Sequence, residues 1–277
     1  MRISHNISAM NTYRQYNTNT VATNRSMEKL SSGYRINRAA DDAAGLSISE
    51  KMRSQIKGLT QATRNAQDGV SYLQTAEGAL NEVSDMLVRL KELSVQVQNG
   101  TYSTTDQANI GSEMSALGTA IEDIFENTKF NGIEVFKTDT TIAYGEGAGQ
   151  EITIDDATLA ASTSTVDDVY SLVTDTKAAN NNYTNAVGIE SDEVEAAITQ
   201  INTLRASYGA QQNQLEHAAN NMSTTKENLQ AAESRIRDVD MAEEMMSYTK
   251  NNILLQAAQA MLAQANAQPQ GVLQLLQ

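Results

Sequence analysis

The sequence contains no cysteine and no tryptophan, and its 277 residues include one proline and three phenylalanines. Without cysteine, disulfides, thiolate nucleophiles and thiolate metal ligands are all excluded. The scarcity of aromatic residues argues against a thick globular core. The near absence of proline, which interrupts helices, suits long continuous ones. Composition therefore favours a mainly α-helical, elongated protein.

Positive charge is scarce in the middle of the chain, and the net charge of −14 is unevenly distributed. Residues 1–57 hold nine Lys/Arg against four Asp/Glu, whereas residues 138–200 hold one against twelve. The cations of the first segment are spaced singly and form no basic run, so binding to nucleic acid is not predicted. The first nine residues contain no apolar stretch, so we expect no cleaved secretory signal peptide.

Three segments carry apolar residues at heptad spacing, which indicates long helices with continuous apolar seams. In residues 194–236 the column consists of Ile201, Tyr208, Leu215, Met222, Leu229 and Ile236. Residues 52–97 and 105–124 show steps of three and four. We therefore predict an antiparallel bundle in which these seams cover one another, with the third helix capped by one of residues 104–106.

A small amount of β structure is predicted after residue 124 of the chain, on one side of the bundle. Asn131-Gly132 lies between aromatic and β-branched residues, which is a strong signal for a tight hairpin. Residues 138–190 are acidic and poor in apolar side chains, so we predict a β appendage with loops. Its expected elements are a strand at 151–155 and one or two helical turns at 167–173.

The two ends are predicted to be helices that are marginal by themselves. Residues 1–40 place sparse apolar side chains among asparagines, so this helix should order only against partners. Residues 251–277 contain no charged residue but seven glutamines. Amide side chains and Pro269 are penalised in hydrocarbon, so membrane insertion is not predicted. A neutral helix of Ala, Leu and Gln suits packing beside copies of itself.

No group of residues has the arrangement that catalysis requires. His5 and His217 are far apart, and neither belongs to a His-Glu-x-x-His zinc motif. The glycines at 145, 147 and 149 lack the spacing of a dinucleotide-binding loop. The Asp41-Asp42 pair is explained by a helix N-terminus. We expect no enzyme activity, no catalytic or metal site and no cofactor.

Several ordered stretches resemble bacterial flagellin, the subunit of the flagellar filament. The N-terminal ones are Met1-Arg2-Ile3-Ser4-His5-Asn6-Ile7, Lys29-Leu30-Ser31-Ser32-Gly33-Tyr34-Arg35-Ile36-Asn37-Arg38-Ala39-Ala40-Asp41-Asp42-Ala43-Ala44-Gly45-Leu46 and Gln74-Thr75-Ala76-Glu77-Gly78-Ala79-Leu80. The C-terminal ones are Ser234-Arg235-Ile236-Arg237-Asp238-Val239-Asp240-Met241-Ala242 and Val272-Leu273-Gln274-Leu275-Leu276. The resemblance covers residues 1–137 and 190–277, and the large outer variable domains of many flagellins are absent.

The resemblance implies three parts. Residues 1–42 and 237–277 would pair as an inner coiled-coil layer at the filament core. Residues 43–236 would form a helical rod domain that carries the hairpin and a short variable region at about 130–190. The implied fold is thus an elongated antiparallel helical bundle with a small β-hairpin region and paired terminal helices.

The resemblance further implies a structural subunit that polymerises into the hollow extracellular filament used for motility. The protein would leave the cell unfolded through the flagellar export channel. Its partners would be copies of itself, an export chaperone, the export apparatus, and the filament cap and hook-junction proteins. The residues expected to drive self-assembly are Ile3, Ile7, Met10, Met245, Leu255, Leu262, Leu273 and Leu276.

A receptor-binding segment is also implied by the resemblance. Residues 89–96 are similar to the flagellin segment that engages Toll-like receptor 5, a vertebrate innate receptor. The residues expected there are Arg89 and Leu93, with Ile110 and Glu113 on the adjoining helix. Leu93 also fits the heptad seam, so a place in the core is an alternative for it.

Three other functions are alternatives to that of a filament subunit. The nearest is a hook-filament junction protein, which shares the terminal signatures of flagellin more weakly. An enzyme carried in the variable region would need more length and other residues than 138–190 offer. An independent coiled-coil binding module would form discrete dimers instead of filaments.

Overall fold

The computed structural model describes residues 6–145, 147, 149–154 and 191–275, with side chains as far as residue 268. The elements of this part are α1 (Ile7–Ser32), α2 (Ala43–Val97), α3 (Thr104–Asn127), β1 (Lys129–Phe130), β2 (Ile133–Glu134), β3 (Thr140–Ala143), β4 (Glu151–Ile154), α4 (Ser191–Arg237) and α5 (Met241–Leu275). The predicted mainly α class is confirmed. The helical turns expected at 167–173 lie outside the described residues.

Contacts between residues divide the chain into two compact units. The terminal unit consists of Met1–Ile56 and Glu227–Gln277, and the central unit is Lys57–Lys226. The break predicted at Gly33 is confirmed, because α1 ends at Ser32 and Gly33 takes the left-handed conformation, with φ of 75°. Its N–H donates to Lys29 O, which is the usual way for a glycine to close a helix.

In the central unit, α2 runs antiparallel to both α3 and α4. Gln107 Nε2 donates to Val97 O at 3.2 Å, and Lys91 Nζ donates to Glu195 Oε2 at 2.8 Å. The six seam residues of α2 from Leu80 onward are at most 1% exposed: Leu80, Val83, Leu87, Leu90, Leu93 and Val97. Facing seam residues of α4 are also buried: Ile201, Tyr208, Leu215 and Met222. In the central unit the heptad columns are therefore covered within one chain, as predicted, whereas Leu229 and Ile236, at the end of the α4 column in the terminal unit, are half-buried.

The start of α3 differs from the prediction by one residue. Its N-cap is Ser103, and the expectation of a cap within residues 104–106 is wrong. Ser103 Oγ accepts from Asp106 N, and the Asp106 carboxylate accepts from Ser103 N, each at 3.2 Å. Ser, Thr and Asp are all good caps, so this reciprocal pair of bonds decides the choice. A hydrogen bond from the Ser103 hydroxyl lowers the pKa of Asp106.

Two antiparallel hairpins complete the central unit. The hairpin predicted at Asn131-Gly132 is confirmed as β1–β2, and both turn residues have positive φ, 51° and 84°, as a type I′ turn requires. The strand predicted near 151 is β4. It pairs with β3, which lies in a stretch predicted to be loop.

The hairpins are anchored on α2 around Tyr72 and Gly69. Tyr72 OH donates to Val135 O at 3.1 Å, and its ring meets the Phe130 ring edge-on, with centroids 5.7 Å apart. A Cβ at Gly69 would lie 2.5 Å from Ile142 Cδ1 and 3.2 Å from Leu215 Cδ1. The missing side chain is therefore what lets β3 and α4 approach α2 so closely.

Candidate self-assembly surface of the terminal helices

Within the terminal unit, α1 and α5 pack side by side in antiparallel directions. Near one end of the pair, Asn6 Nδ2 donates to Ala265 O at 2.8 Å. Near the other end, Lys29 Nζ lies 3.8 Å from Glu244 Oε2. Asn6 also caps α1, since its side-chain oxygen accepts from Ala9 N at 3.1 Å. These contacts fix which residues of the two helices lie level with each other.

The seam between the two helices is made of small and polar side chains. On α1 the buried positions are Asn19, Thr23 and Ser26, and on α5 they are Ala258 and Ala265. Thr23 satisfies its hydroxyl by donating to the Asn19 carbonyl one turn back, at 2.8 Å. A seam of this kind permits close approach but removes little apolar surface from water. Most stabilisation of an amphipathic helix comes from apolar burial, so the pair is weakly held by itself.

Most of the large apolar side chains of the pair are exposed and take no part in this seam. Among the described residues, eleven of the seventeen exposed large apolar side chains lie on α1 and α5. We call these eleven the outer face: Ile7, Met10, Tyr13, Val21, Met27, Met241, Met245, Met246, Ile253, Leu254 and Met261. Large contiguous apolar patches are rare on soluble monomers and mark contact with other proteins, so the two helices that carry most of these side chains are the candidate surface for such contact.

The residues that the resemblance assigned to self-assembly fall into three groups. Ile7 and Met10, each 68% exposed, and Met245, 50% exposed, belong to the outer face. Leu255 and Leu262 are half-buried, and each lies three positions before a buried seam residue, Ala258 or Ala265. Leu273 lies in α5 beyond the described side chains, and Ile3 and Leu276 lie outside the described residues.

Four residues tie the start of α2 to the end of α4 inside the terminal unit; we call them the Arg237 clamp. Arg237 Nη1 donates to Glu50 Oε1 at 2.7 Å, and its guanidinium lies 4.7 Å from the centre of the Tyr34 ring. Arg35 N donates to Arg237 O at 2.7 Å. The hydrogen bond from Arg237 lowers the pKa of Glu50. Sequence reading missed this clamp, because Glu50 and Arg237 are 187 positions apart and only their charges hint at pairing.

The two adjacent acids considered for a carboxylate dyad serve as structural caps. Asp42 Oδ1 accepts from Gly45 N at 2.8 Å, which satisfies an N–H at the start of α2. Asp41 Oδ2 accepts from Arg38 N at 3.0 Å and from Asn37 N at 3.3 Å. The bond from Arg38 N lowers the pKa of Asp41. One oxygen of each carboxylate thus accepts hydrogen bonds from backbone N–H groups.

In the central unit, the four residues assigned to receptor binding are close together but differently placed. Arg89 Nη2 donates to Glu113 Oε1 at 2.9 Å, and Arg89 Nη1 donates to Glu92 Oε2 at 2.8 Å. The bonds to Glu92 and Glu113 raise the pKa of Arg89. Leu93 is 1% exposed and Ile110 is 9% exposed. The two charged residues therefore form a surface ion pair, whereas the two apolar residues belong to the core beneath it.

Neither a metal-binding cluster nor a membrane-spanning helix is found among the described residues. No group of three or more His, Cys, Asp or Glu side chains there has an arrangement that could hold a metal ion. No helix in the described ranges combines the length and the apolarity needed to cross a bilayer.

Two family models match this chain, one toward each end. The family model for the bacterial flagellin N-terminal helical region matches residues 3–141, and the model for the C-terminal helical region matches residues 191–276. Flagellin of Bacillus subtilis (strain 168) is 49% identical, and the flagellar filament 33 kDa core protein of Treponema phagedenis is 45% identical. Each match covers 100% of this chain and 100% of the relative.

A solved structure described as a flagellar hook-associated protein of Vibrio parahaemolyticus is similar in fold. It is 14% identical, with a TM-score of 0.56, over 72% of this chain and 100% of that one. At that identity the likeness shows a shared fold and nothing more.

Proposed function

This chain belongs to the bacterial flagellin family and is a structural protein of the flagellar filament, and we propose that it polymerises through the outer face of its terminal helices. The observation that carries the proposal is which side chains of α1 and α5 are buried and which are exposed. Small polar residues occupy the seam within the chain, and large apolar residues face outward. Such an arrangement leaves the outer face available for other copies to cover.

Assembly and ordering of the terminal helices are coupled in this proposal. A pair held by Asn19, Thr23 and Ser26 gains too little from burial to offset the entropy of ordering two long helices. Neighbouring copies supply the missing burial when they cover Ile7, Met10 and Met245. Polymerisation thus stabilises the helices. Because each free subunit must first pay the entropy of ordering its terminal helices, free subunits do not associate prematurely.

The remaining self-assembly residues have distinct parts in the proposal. Leu255 and Leu262 hold α5 against α1, in keeping with their half-buried positions. Ile3, Leu273 and Leu276 extend the contact between copies at the extreme ends of the chain. Residues 1–42 and 237–277 would together form the inner layer, and residues 43–236 the outer helical domain.

Export precedes assembly in the same scheme. We propose that the chain leaves the cell unfolded through the flagellar export apparatus and becomes part of the extracellular filament. An export chaperone would mask the outer face of α5 until then, and the filament cap and hook-junction proteins would contact the same terminal helices. The absence of cysteine supports passage of an unfolded chain, because no disulfide can form on the way.

Truncation of the C-terminus tests the polymerisation proposal. Removing residues 251–277 deletes Ile253, Leu254 and Met261 from the outer face but leaves every residue of the central unit. We expect a folded helical protein that forms no filaments at concentrations where the full chain does. Circular dichroism checks folding, and electron microscopy checks assembly. Normal filaments from the truncated chain would refute the proposal.

The uncharged tail is proposed to line the central channel of the filament. Gln264 and Gln268 are exposed on α5, in a stretch that has no charge from residue 251 onward. A neutral amide surface would not retain chains that pass along the channel. Lysine at both positions should slow filament elongation, whereas asparagine at both should not. An unchanged elongation rate in the lysine variant would contradict this assignment.

Recognition by Toll-like receptor 5 is proposed to involve the surface ion pair of Arg89 and Glu113. Leu93 and Ile110 are too deeply buried to touch a partner in this conformation, so they act by holding α2 against α3. A receptor-reporter assay on Arg89→Ala and Glu113→Ala should show weaker signalling with unchanged unfolding. Equal signalling by these variants and the parent would overturn the assignment.

The hook-filament junction alternative receives less support. The relatives that match end to end are a flagellin and a filament core protein, whereas the hook-associated structure shares 14% identity. Nothing in the geometry of the described residues favours the junction role over the filament role.

A further inference from the structure

The methionines of this chain are concentrated on one surface. The sequence has eleven, and six of them belong to the outer face: Met10, Met27, Met241, Met245, Met246 and Met261. These six are between 49% and 68% exposed. In the central unit, by contrast, Met114 is fully buried and Met222 is 6% exposed. More than half of the thioether sulfurs therefore lie where solvent reaches them before assembly.

The six methionines fall into two clusters along the helix pair. Met10 is four positions from Asn6 and Met261 is four positions from Ala265, and these two partners are hydrogen-bonded at 2.8 Å. Met27 is two positions from Lys29 and Met245 is next to Glu244, which pair at 3.8 Å. Each end of the α1–α5 pair thus presents methionines from both helices. Met241 and Met246 enlarge the second cluster.

We propose that these six methionines form an oxidant-sensitive modification site that controls polymerisation of free subunits. The inference rests on the proposed assembly through the outer face. Hydrogen peroxide transfers one oxygen atom to the thioether sulfur, its O–O bond breaks, and water leaves. The sulfur is oxidised by two electrons, and the product is methionine sulfoxide.

Oxidation changes the chemistry of the outer face without changing its charge. A thioether is flexible and polarisable, so it packs well against irregular apolar surfaces. A sulfoxide carries a strong hydrogen-bond acceptor, which would be desolvated and unpaired when a second copy covers it. One unsatisfied buried polar group is enough to weaken association by about tenfold. Several sulfoxides in two clusters therefore hold the subunit in the free state.

The assembled filament is expected to be protected. Once copies cover the outer face, the sulfurs of Met10, Met246 and Met261 are out of reach of peroxide in solution. Oxidation thus acts on free subunits and spares existing filaments. Because sulfoxide reductases restore methionine, the block is reversible.

The test uses the full-length protein and hydrogen peroxide. Free subunits receive graded doses, catalase removes the oxidant, and peptide mass spectrometry locates the sulfoxides. We expect the six outer-face methionines to react before Met114 and Met222, with unchanged circular dichroism. The critical concentration for assembly should rise at least tenfold, and treatment with methionine sulfoxide reductase should restore it. Preassembled filaments should remain unmodified at the same sites.

Two variants make the test specific. Replacing all six outer-face methionines with leucine should give filaments whose assembly no longer responds to peroxide. Met245→Leu with Met246→Leu is the smaller change and should give partial resistance. Met52→Leu with Met86→Leu, both half-buried outside the outer face, is the matched control and should stay fully sensitive.

The outcomes separate this inference from the proposed function. Untreated protein that never assembles would overturn both. Untreated protein that assembles, combined with oxidised protein that assembles at the same critical concentration, would overturn the inference alone. The same holds if the six-leucine variant remains as sensitive as the parent.

Discussion

Replacing Ile253 with serine should weaken polymerisation without unfolding the subunit. Ile253 lies on the outer face and is 61% exposed, so its side chain contributes little to the folded monomer. Full burial of an isoleucine side chain is worth about 1.5–3 kcal/mol. If a second copy covers the exposed part, the variant loses about 1–2 kcal/mol for each subunit added. The critical concentration should therefore rise about 5–30-fold.

Sedimentation of filaments over a range of total protein concentrations measures this quantity directly, because the concentration left in the supernatant is the critical concentration. Thr249→Ser is the matched control on the same helix: it removes one methyl group, and serine can keep the hydrogen bond to Met245 O, which is 2.8 Å long. The control should assemble like the parent. A critical concentration for Ile253→Ser within twofold of the parent value, with intact helical content, would refute the assignment of the outer face to contacts between copies.

Three further predictions concern the fold. Leu93→Ala should lower the free energy of unfolding by about 2–5 kcal/mol because it leaves a cavity in the α2 seam. Arg89→Ala, at the surface, should leave the urea midpoint nearly unchanged. Equal losses of unfolding free energy in the two variants would contradict the burial described above. Ser103→Ala should lower the free energy of unfolding by about 1 kcal/mol because the α3 cap is lost. A urea midpoint identical to that of the parent would exclude a stabilising cap at Ser103. The hydrogen bond from Arg237 lowers the pKa of Glu50 below its ordinary value of 4.5. The clamp therefore adds stability above about pH 4.5, and this stability disappears as the pH falls through the lower pKa of the folded state. Glu50→Gln should flatten the pH dependence of the thermal midpoint in that acidic range, and an unaltered pH profile would show that the clamp does not stabilise the fold.

Helix positions in the central unit could be predicted from the sequence because burial there follows a regular period. The column from Ile201 to Met222 and the run from Leu80 to Val97 are buried as the heptad pattern indicates. The type I′ turn at Asn131-Gly132 was predictable for a local reason, since both residues tolerate positive φ. The cap at Ser103 was missed, because adjacent Ser, Thr and Asp residues compete as caps and only reciprocal hydrogen bonds distinguish them.

The terminal unit could be predicted only in part, because its seam inverts the usual pattern. The apolar residues of α1 indicated a helix, but the side that packs within the chain is the one with Asn19, Thr23 and Ser26. Burial of small polar residues leaves no hydrophobic signature in a sequence. The Arg237 clamp likewise depends on contacts across 187 positions, which no local pattern records. The strand β3 is short and has few apolar residues, so its pairing with β4 was also hidden.

A cryo-electron microscopy reconstruction of filaments grown from the purified full-length protein tests the central claim most directly. The outer face is the surface that copies are proposed to cover, so the map should show Met246, Ile253 and Met261 in van der Waals contact, at about 4 Å, with neighbouring subunits. A filament in which these side chains face solvent, with contacts between subunits confined to the central unit, would contradict the claim.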